Sequence, residues 1–306
     1  MNIKNEKILE FDKIKHMLSE LALCDKAKEN AIKLTPYMDL EETRRKIKET
    51  SMAKDIIERT GTPPLPIMKD IKVYIELAEK GVMLTGEQLS EISTFALSVT
   101  RLKKYLKKSE TWDNEICLYG DSLHDVSELS DEIESKIRNG IVDDNATPLL
   151  KDLNRKIENG KNQARGKLES MLRRNPLWFS DGFISQRSGH LTVHVKQEYK
   201  FQVQGTVVDR SGSGATYFIE PDSVKKLQAD ISMHEIDRQN EIIKILFTLT
   251  NYVCDYARML YTNIEGIEIL DFIFARAKLS LKMDANEASI ETRRRIIVKS
   301  GRHPLI

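Results

Sequence analysis

The chain has 306 residues, of which 31% are charged and 7% aromatic, and its formal net charge at neutral pH is +1. That length allows two domains with a sizeable core, and so many charged residues are typical of long solvated helices rather than of a compact β-fold. The small net charge excludes attraction of nucleic acid by the field of the whole molecule, so any nucleic-acid surface must be a local patch.

The first part of the chain, residues 1–126, predicts a helical core or lever domain. Apolar residues recur at helical spacing in an opening helix that begins near Ile8 and ends before Pro36, with Leu23 on its inward face. Further helices are predicted over residues 40–59, 71–80 and 87–107.

Residues 127–177 predict the first of two long arms. Leucine and isoleucine recur every three or four residues between many charged side chains, which is typical of a helix that packs on one partner only. Asn139-Gly140 and the segment 145–148, which contains a proline, predict one break in this arm.

A change of period sets residues 178–221 apart as a β-rich clamp. Over residues 191–207, apolar side chains such as Phe201 fall on odd positions, and polar or basic ones fall on even positions. This alternation predicts a strand with one apolar and one polar face. The Ser-Gly-Ser-Gly run at 211–214 interrupts the pattern, and residues 215–219 resume it as a short strand.

Residues 222–285 predict a return arm followed by further core helices. Apolar residues, among them Ile236 and Ile243, mark the inward face of one helix from Asp222 to about Leu260, roughly 55 Å long at the standard rise. Two antiparallel arms joined by a β-tip form a lever that carries a clamp. The alternative is a four-helix bundle with an inserted hairpin, which would have to bury too many polar turns.

The pattern as a whole predicts a mainly α protein, in which a helical core or lever domain has long antiparallel helical arms that carry a small inserted β-clamp. Residues 293–298 then predict a strand. A Gly-Arg-His-Pro run follows at 301–304.

Six segments share their residue types and their order with one known family: residues 9–14, 34–36, 193–200, 205–209, 211–221 and 301–304. They resemble the MutS family in its second bacterial type, the Smr-tailed MutS-two proteins. The resemblance implies that residues 286–306 begin an ATPase domain, and that the rest of the ATPase and the Smr nuclease-like tail would lie beyond Ile306. It implies ATP and Mg²⁺ as cofactors of a full-length, dimeric protein, and no cofactor in this part.

The same resemblance implies a nucleic-acid-binding lever and clamp that acts in suppression of homologous recombination or in rescue of stalled ribosomes. The partner would be duplex or branched DNA, or ribosomal RNA, and the residues leave this choice open. The mismatch-reading N-terminal domain of the mismatch-repair proteins has no counterpart here, so the resemblance does not extend to mismatch specificity.

Residue patterns typical of chemistry are missing from the sequence. Residues 160–168 have the wrong spacing for a phosphate-binding loop and lack its Ser or Thr. His190 and His194 are interpreted as exposed polar positions, and the turn 211–214 is interpreted as flexible rather than as an anion site. The sequence therefore predicts no catalytic residue, no metal ligand and no cofactor site.

Cysteine usage and hydropathy predict where the protein acts. Cys24, Cys117 and Cys254 are an odd number at wide spacing, which indicates a reducing compartment. The opening residues have no long apolar run, and no stretch approaches the ~20 apolar residues of a membrane helix. We expect a cytoplasmic protein that has no membrane partner.

Local charge carries the functional prediction. Residues 155–210 contain eleven lysines and arginines against five acidic residues, an excess that is typical of contact with a phosphate backbone. The aromatic residues Trp178, Phe179, Tyr199 and Phe201 are expected mainly in the small core of the clamp, although such rings could also stack on bases. The predicted nucleic-acid-binding residues are Lys161, Arg165, Lys167, Arg173, Arg174, Arg187, Lys196, Lys200 and Arg210.

Two functional hypotheses remain open. The first is a nucleic-acid-binding clamp that passes on the motion of an ATPase. The second is a helical dimerisation or protein-docking module with no nucleic-acid role, which an exposed apolar stripe on residues 127–174 would favour. An independent enzyme is disfavoured because the sequence contains no recognisable active site.

Overall fold

A computed structural model describes residues 7–112, 114–292 and 295–305. The chain is mainly α-helical with two small antiparallel sheets, which confirms the predicted fold class. It divides into two compact units. We call Met1–Ser135 with Thr248–Ile306 the helical unit, and Lys136–Phe247 the clamp unit. None of the described helices is long and apolar enough to cross a membrane.

In the helical unit, the C-terminal helix α10 (Ala257–Lys282) packs against α1 (Phe11–Leu21), α2 (Asp25–Ile32) and α3 (Leu40–Thr60). It contributes much of the core because many of its apolar residues, among them Leu270 and Phe274, are fully buried. The helices of this unit are α1 Phe11–Leu21, α2 Asp25–Ile32, α3 Leu40–Thr60, α4 Ile71–Glu79, α5 Gly86–Lys107, α6 Cys117–Asp121, α7 Ser127–Lys136 and α10 Ala257–Lys282.

The opening helix is broken where the sequence predicts a continuous one. The Asp271 carboxylate accepts hydrogen bonds from the backbone N–H groups of Leu23, at 2.8 Å, and Cys24, at 2.7 Å. These donors are therefore satisfied without a helical turn. Leu23 is consequently exposed, and its predicted place in the core is wrong. Burial raises the pKa of the Cys24 thiol to about 12, so this cysteine is unreactive at neutral pH.

The clamp unit opens with a tight hairpin of β1 Ile137–Arg138 and β2 Ile141–Val142. Asn139 and Gly140 both have positive φ, 52° and 78°, as the two-residue turn of a hairpin requires. The predicted arm of 127–177 therefore contains two helices, α7 and α8 (Pro148–Arg174), separated by this hairpin. The remaining elements are α8 Pro148–Arg174, β3 Phe179–Arg187, β4 His190–Lys196, β5 Gly205–Arg210, β6 Thr216–Pro221 and α9 Asp222–Asp255.

Helix α8 and the part of α9 in the clamp unit run antiparallel. Residues later in α8 contact residues earlier in α9. At Gly160 the two helices approach so closely that an added Cβ would lie 2.8 Å from Ile231 Cγ1. The polar contacts between the helices and their caps are Thr147 with Glu241 at 3.0 Å, Asn154 with Arg238 at 2.6 Å, Lys161 with Glu235 at 2.9 Å, and Lys167 with the Ser223 carbonyl at 3.3 Å.

The four-stranded sheet has the antiparallel order β3-β4-β6-β5. Its inner face, with Phe179, Val193, Val195 and Ile219, packs against the end of α8 and the start of α9 in one apolar cluster. The predicted parity of β4 and the predicted short strand, β6, are confirmed. The sequence had not predicted β3 as a strand.

The predicted alternation does not continue to residue 207, since β4 ends at Lys196 and a 3₁₀ turn covers Gln197–Tyr199. The N–H of Gln197 donates to the carbonyl of Ala215, and that of Gln202 donates to Tyr199, so the backbone curls back. Phe201 is consequently 90% exposed, which contradicts its predicted place in the core.

Two predictions at the end of the chain also need correction. Helix α9 ends at Asp255, and Tyr256 separates it from α10, so no single helix reaches Leu260. Residues 295–298 form no strand, and Ile296, Ile297 and Val298 are exposed. Arg293 and Arg294, the rest of that predicted strand, lie outside the described residues.

Candidate nucleic-acid interface

The five predicted cations of α8 lie on three different faces of the helix. At 3.6 residues per turn, Lys161 and Arg165 share one face, and Lys167 and Arg174 share another. Arg173 points in a third direction, where it forms an ion pair with Glu169 at 3.2 Å. The helix therefore presents separate pairs of cations rather than one continuous patch.

Ion pairs reduce the charge available on part of α8. Lys161 lies 2.9 Å from Glu235 of α9, and both side chains are half exposed. Lys167 donates to a backbone carbonyl rather than to an acid. Within the described part of the chain, Arg165 and Arg174 have no acidic partner, so they retain their full charge for a ligand.

Three further predicted cations lie at one end of the sheet, and two of them pack on Tyr217 of β6. Lys200 Nζ lies 4.5 Å from the centroid of the Tyr217 ring, and Arg210 Cζ lies 5.5 Å from it. Lys196 is paired with Thr216, next to Tyr217 in the ladder, so its side chain points to the other face of the sheet at the same end. We call Lys196, Lys200 and Arg210 the tip cluster. Stacking of two cations on one ring holds them in fixed positions despite their mutual repulsion.

Arg187 lies on the outer face of the same sheet. Its guanidinium carbon is 4.5 Å from the centroid of the Phe218 ring, and one of its nitrogens is 4.0 Å from Asp209. The His194 ring also packs edge-on against Phe218, with 4.8 Å between centroids. Arg187 is therefore anchored on this face and is partly offset by an acid.

His194 is not an exposed polar residue as predicted, because it lies in a row of cross-strand hydrogen bonds. Its Nδ1 is 2.8 Å from Asp181 Oδ2, and its Nε2 is 2.7 Å from Ser185 Oγ. Ser185 Oγ is also 3.0 Å from Thr192 Oγ1, so its hydroxyl is engaged on both sides within the β-ladder. Although the residue types match a hydrolytic triad, we interpret this row as a lock between β3 and β4. His190 is exposed as predicted and lies 3.0 Å from Glu220.

Two cations next to the sheet were missed by the sequence analysis. Lys225 and Lys226 are exposed in the first turns of α9, and Lys225 Nζ reaches Thr206 Oγ1 of β5 at 3.4 Å. The sequence does show them, as two adjacent lysines soon after Pro221. They fell outside the charge-rich window 155–210 and were not counted.

The segment that most resembles a phosphate loop does not fit a nucleotide. Residues 160–167 lie inside α8, where backbone N–H groups donate to carbonyls of the same helix and cannot cradle a phosphate. Gly160 instead serves the close packing on Ile231. ATP therefore does not fit these residues. Among the described residues, no three His, Cys, Asp or Glu side chains are grouped to hold a metal ion.

The sequence of the chain is similar to those of a group of named proteins. No family model matches the chain. It is 35% identical over 313 aligned residues to endonuclease MutS2 of Acetivibrio thermocellus, and 32% identical to the proteins of the same name from Alkaliphilus oremlandii and Halothermothrix orenii. The alignments cover 98–100% of this chain and 39% of each relative. The chain is thus a member of the MutS2 family over the part of those proteins that its 306 residues span.

Proposed function

We propose that the clamp unit binds the phosphate backbone of a nucleic acid, as part of a MutS2-type protein. The observation that carries the proposal is the tip cluster, because Lys196, Lys200 and Arg210 form no ion pair within the described residues. Uncompensated cations suit contact with phosphate. Lys200 and Arg210 are also held on the Tyr217 ring, so they lose little freedom on binding.

The surrounding positive charge supports the same function. Arg174 and Arg165 on α8, with Lys225 and Lys226 on α9, add cations to this unit while the whole chain carries a net charge of only +1. No helix of the unit presents a known base-reading motif. Binding would therefore depend on backbone contacts and would vary little with base sequence.

The wider role is proposed by analogy with the relatives, which are named endonucleases. In a dimeric full-length protein, ATP binding elsewhere would move the arms, and the clamp would grip or release its nucleic acid. Suppression of recombination on branched DNA and rescue of stalled ribosomes both require such a grip. The chain covers 39% of the relatives' length, so these activities are proposals for the longer protein.

The test is the salt dependence of binding by the 306-residue chain, measured by fluorescence anisotropy with duplex DNA, a four-way junction and ribosomal RNA fragments. We expect the logarithm of the affinity to fall with that of the salt concentration with a slope of about −3 to −5, since each phosphate contact contributes about −0.9. Binding that is independent of salt would contradict phosphate contact.

A second candidate, self-association through α9, is favoured by a row of apolar side chains on the outer face of that helix. Met233, Ile236, Ile243 and Phe247 are 43–60% exposed, so the predicted inward positions of Ile236 and Ile243 are wrong. Their spacing of three and four residues, continued by Asn240, matches a coiled-coil seam. The buried residues Val224, Ile231 and Ile245 lie on the opposite side, where α8 packs.

Sedimentation of the chain and of Ile236→Glu tests this candidate. If α9 pairs with a second copy, the wild type sediments as a dimer and the variant as a monomer, because a buried unpaired carboxylate is costly. Gln239→Glu, at an exposed position beside the row, adds the same charge and should leave the dimer intact.

A further inference from the structure

A cavity of about 510 Å³ lies in the clamp unit where α8 ends and α9 begins. Its wall contains Lys167 and Arg174 of α8, the indole of Trp178, and Gln202 and Gln204 from the connection between β4 and β5. Ligand-binding clefts typically enclose about 300–1,000 Å³. The cavity therefore has room for one nucleotide but not for a duplex.

We propose that this cavity binds one unpaired nucleotide of a single-stranded nucleic acid, with its base stacked on Trp178 and its phosphate held by Lys167 and Arg174. The proposal rests on the nucleic-acid function above and defines the form of nucleic acid that the clamp prefers. Stacking on an aromatic side chain and charge contact with a phosphate are the two contacts that single-strand binding needs.

The charges in the cavity favour a phosphate. Lys167 and Arg174 are seven residues apart on α8 and thus face the same side. Arg174 has no acidic partner among the described residues, and Lys167 is engaged only by the Ser223 carbonyl. Asp222 is the acidic residue among the described wall residues, and it sits at the N-terminus of α9, where the helix dipole offsets its charge.

Trp178 is placed to act as the stacking surface. It is half buried, because part of the indole packs against the apolar cluster of the clamp while another part lines the cavity. That packing fixes the ring, so a base that stacks on it loses little further freedom. In the part of the chain that the structure describes, the indole N–H has no protein acceptor, which leaves it free for a ligand oxygen.

Side-chain amides surround the remaining space. Gln202 and Gln204 line one side and Asn175 lines another. Each amide carries both donors and acceptors, so they can bond the edge of any base that is not already paired. The backbone here is fixed because the Gln204 carbonyl accepts from the N–H of Asp222 at 3.1 Å.

A second cavity in the same unit, of about 460 Å³, is less suitable. It lies between the two helices and the β3–β4 hairpin, and its charged residues are Glu158, Lys161, Arg165 and Glu235. Two acids oppose two cations, and Lys161 is already paired with Glu235 at 2.9 Å. A phosphate would gain little there.

The test uses the fluorescence of Trp178. The sequence has two tryptophans, so Trp112→Phe leaves Trp178 as the single reporter. The probes are an adenosine dodecamer, its duplex with a complementary strand, and an abasic dodecamer with the same phosphates. We expect quenching by the base-bearing single strand only, and an affinity about 10-fold above that of the abasic strand, since the abasic strand has no base to stack on the ring. DNA and RNA dodecamers run in parallel distinguish the two sugars.

Trp178→Leu separates stacking from phosphate contact. This variant keeps an apolar side chain, and its circular dichroism shows whether the clamp is folded. We expect it to bind the abasic strand as the wild type does and to lose the preference for the base-bearing strand. A preference for the base-bearing strand that is retained in Trp178→Leu would overturn the cavity proposal. Equal affinity of the Trp178 reporter protein for both strands, without quenching, would do the same. Either result would leave phosphate binding in place. If none of these nucleic acids binds in a salt-dependent way, the proposed function is overturned as well.

Discussion

Reversal of the tip cluster, by Lys196→Glu, Lys200→Glu and Arg210→Glu together, is expected to lower the affinity for nucleic acid about 100-fold or more at low salt. With each lost phosphate contact, fewer counterions are released when the nucleic acid binds, and each new carboxylate repels the phosphate backbone. The slope of log affinity against log salt concentration should therefore fall in magnitude by about 3. Anisotropy titrations at about 50 and about 200 mM salt measure both effects.

The control for this variant has the same change in total charge elsewhere in the chain. Lys69, Lys72 and Lys80 of the helical unit are exposed, so Lys69→Glu, Lys72→Glu and Lys80→Glu alter net charge without touching the clamp. If binding depended only on net charge, both triple variants would weaken it equally. That result would rule out the tip cluster as the point of contact.

Replacement of Gly205 by alanine is expected to destabilise the clamp sheet. A Cβ at this position would lie 2.2 Å from the Glu220 carbonyl oxygen and 2.9 Å from the carbonyl carbon. Backbone atoms in a paired strand cannot move aside as a flexible side chain can, so β5 must separate from β6. Overpacking of this kind costs about 1–3 kcal/mol, and sometimes more.

Hydrogen–deuterium exchange is the suitable measurement, because a chain of two units need not unfold in one step. Peptides that cover β5 and β6 should exchange faster in Gly205→Ala, whereas α10 should be unchanged. Gly182→Ala is the matched control, since it lies in β3 of the same sheet and has nothing within 4 Å of its Cβ position. Protection of β5 and β6 equal to that of the wild type would show that the strands can adapt.

Local patterns in the sequence predicted those elements that local chemistry determines. The alternation around Val193 and Val195 gave β4, and the proline before Asp222 gave the start of α9. Strand β3 was missed because its register shifts between Phe179 and Ile184, which destroys the period of two. The alternation of apolar and polar residues also placed Phe201 inside. Apolar residues still occupy every second position after Lys196, although the strand has ended there, so the pattern alone does not reveal the turn.

The candidate site was harder to predict because its charges depend on distant partners. Lys161 was predicted to be available, yet Glu235, distant in sequence, neutralises it across the helix pair. Asp271 breaks the first helix at Leu23 from the other end of the chain. The sequence prediction also placed both Ile231 and Ile236 on the inward face of α9, although five residues correspond to about 140° around a helix, so the buried Ile231 and the exposed Ile236 lie on nearly opposite sides.

The central claim is that nucleic acid contacts the clamp unit through the tip cluster, and a hydrogen-exchange footprint of the complex tests it most directly. With a saturating single strand or junction, slowed exchange is expected in peptides covering residues 196–214 and in the adjoining ends of α8 and α9. Peptides of α1 to α5 should exchange as in the free chain. Unchanged exchange over residues 196–214 in a saturated complex would contradict the proposed function.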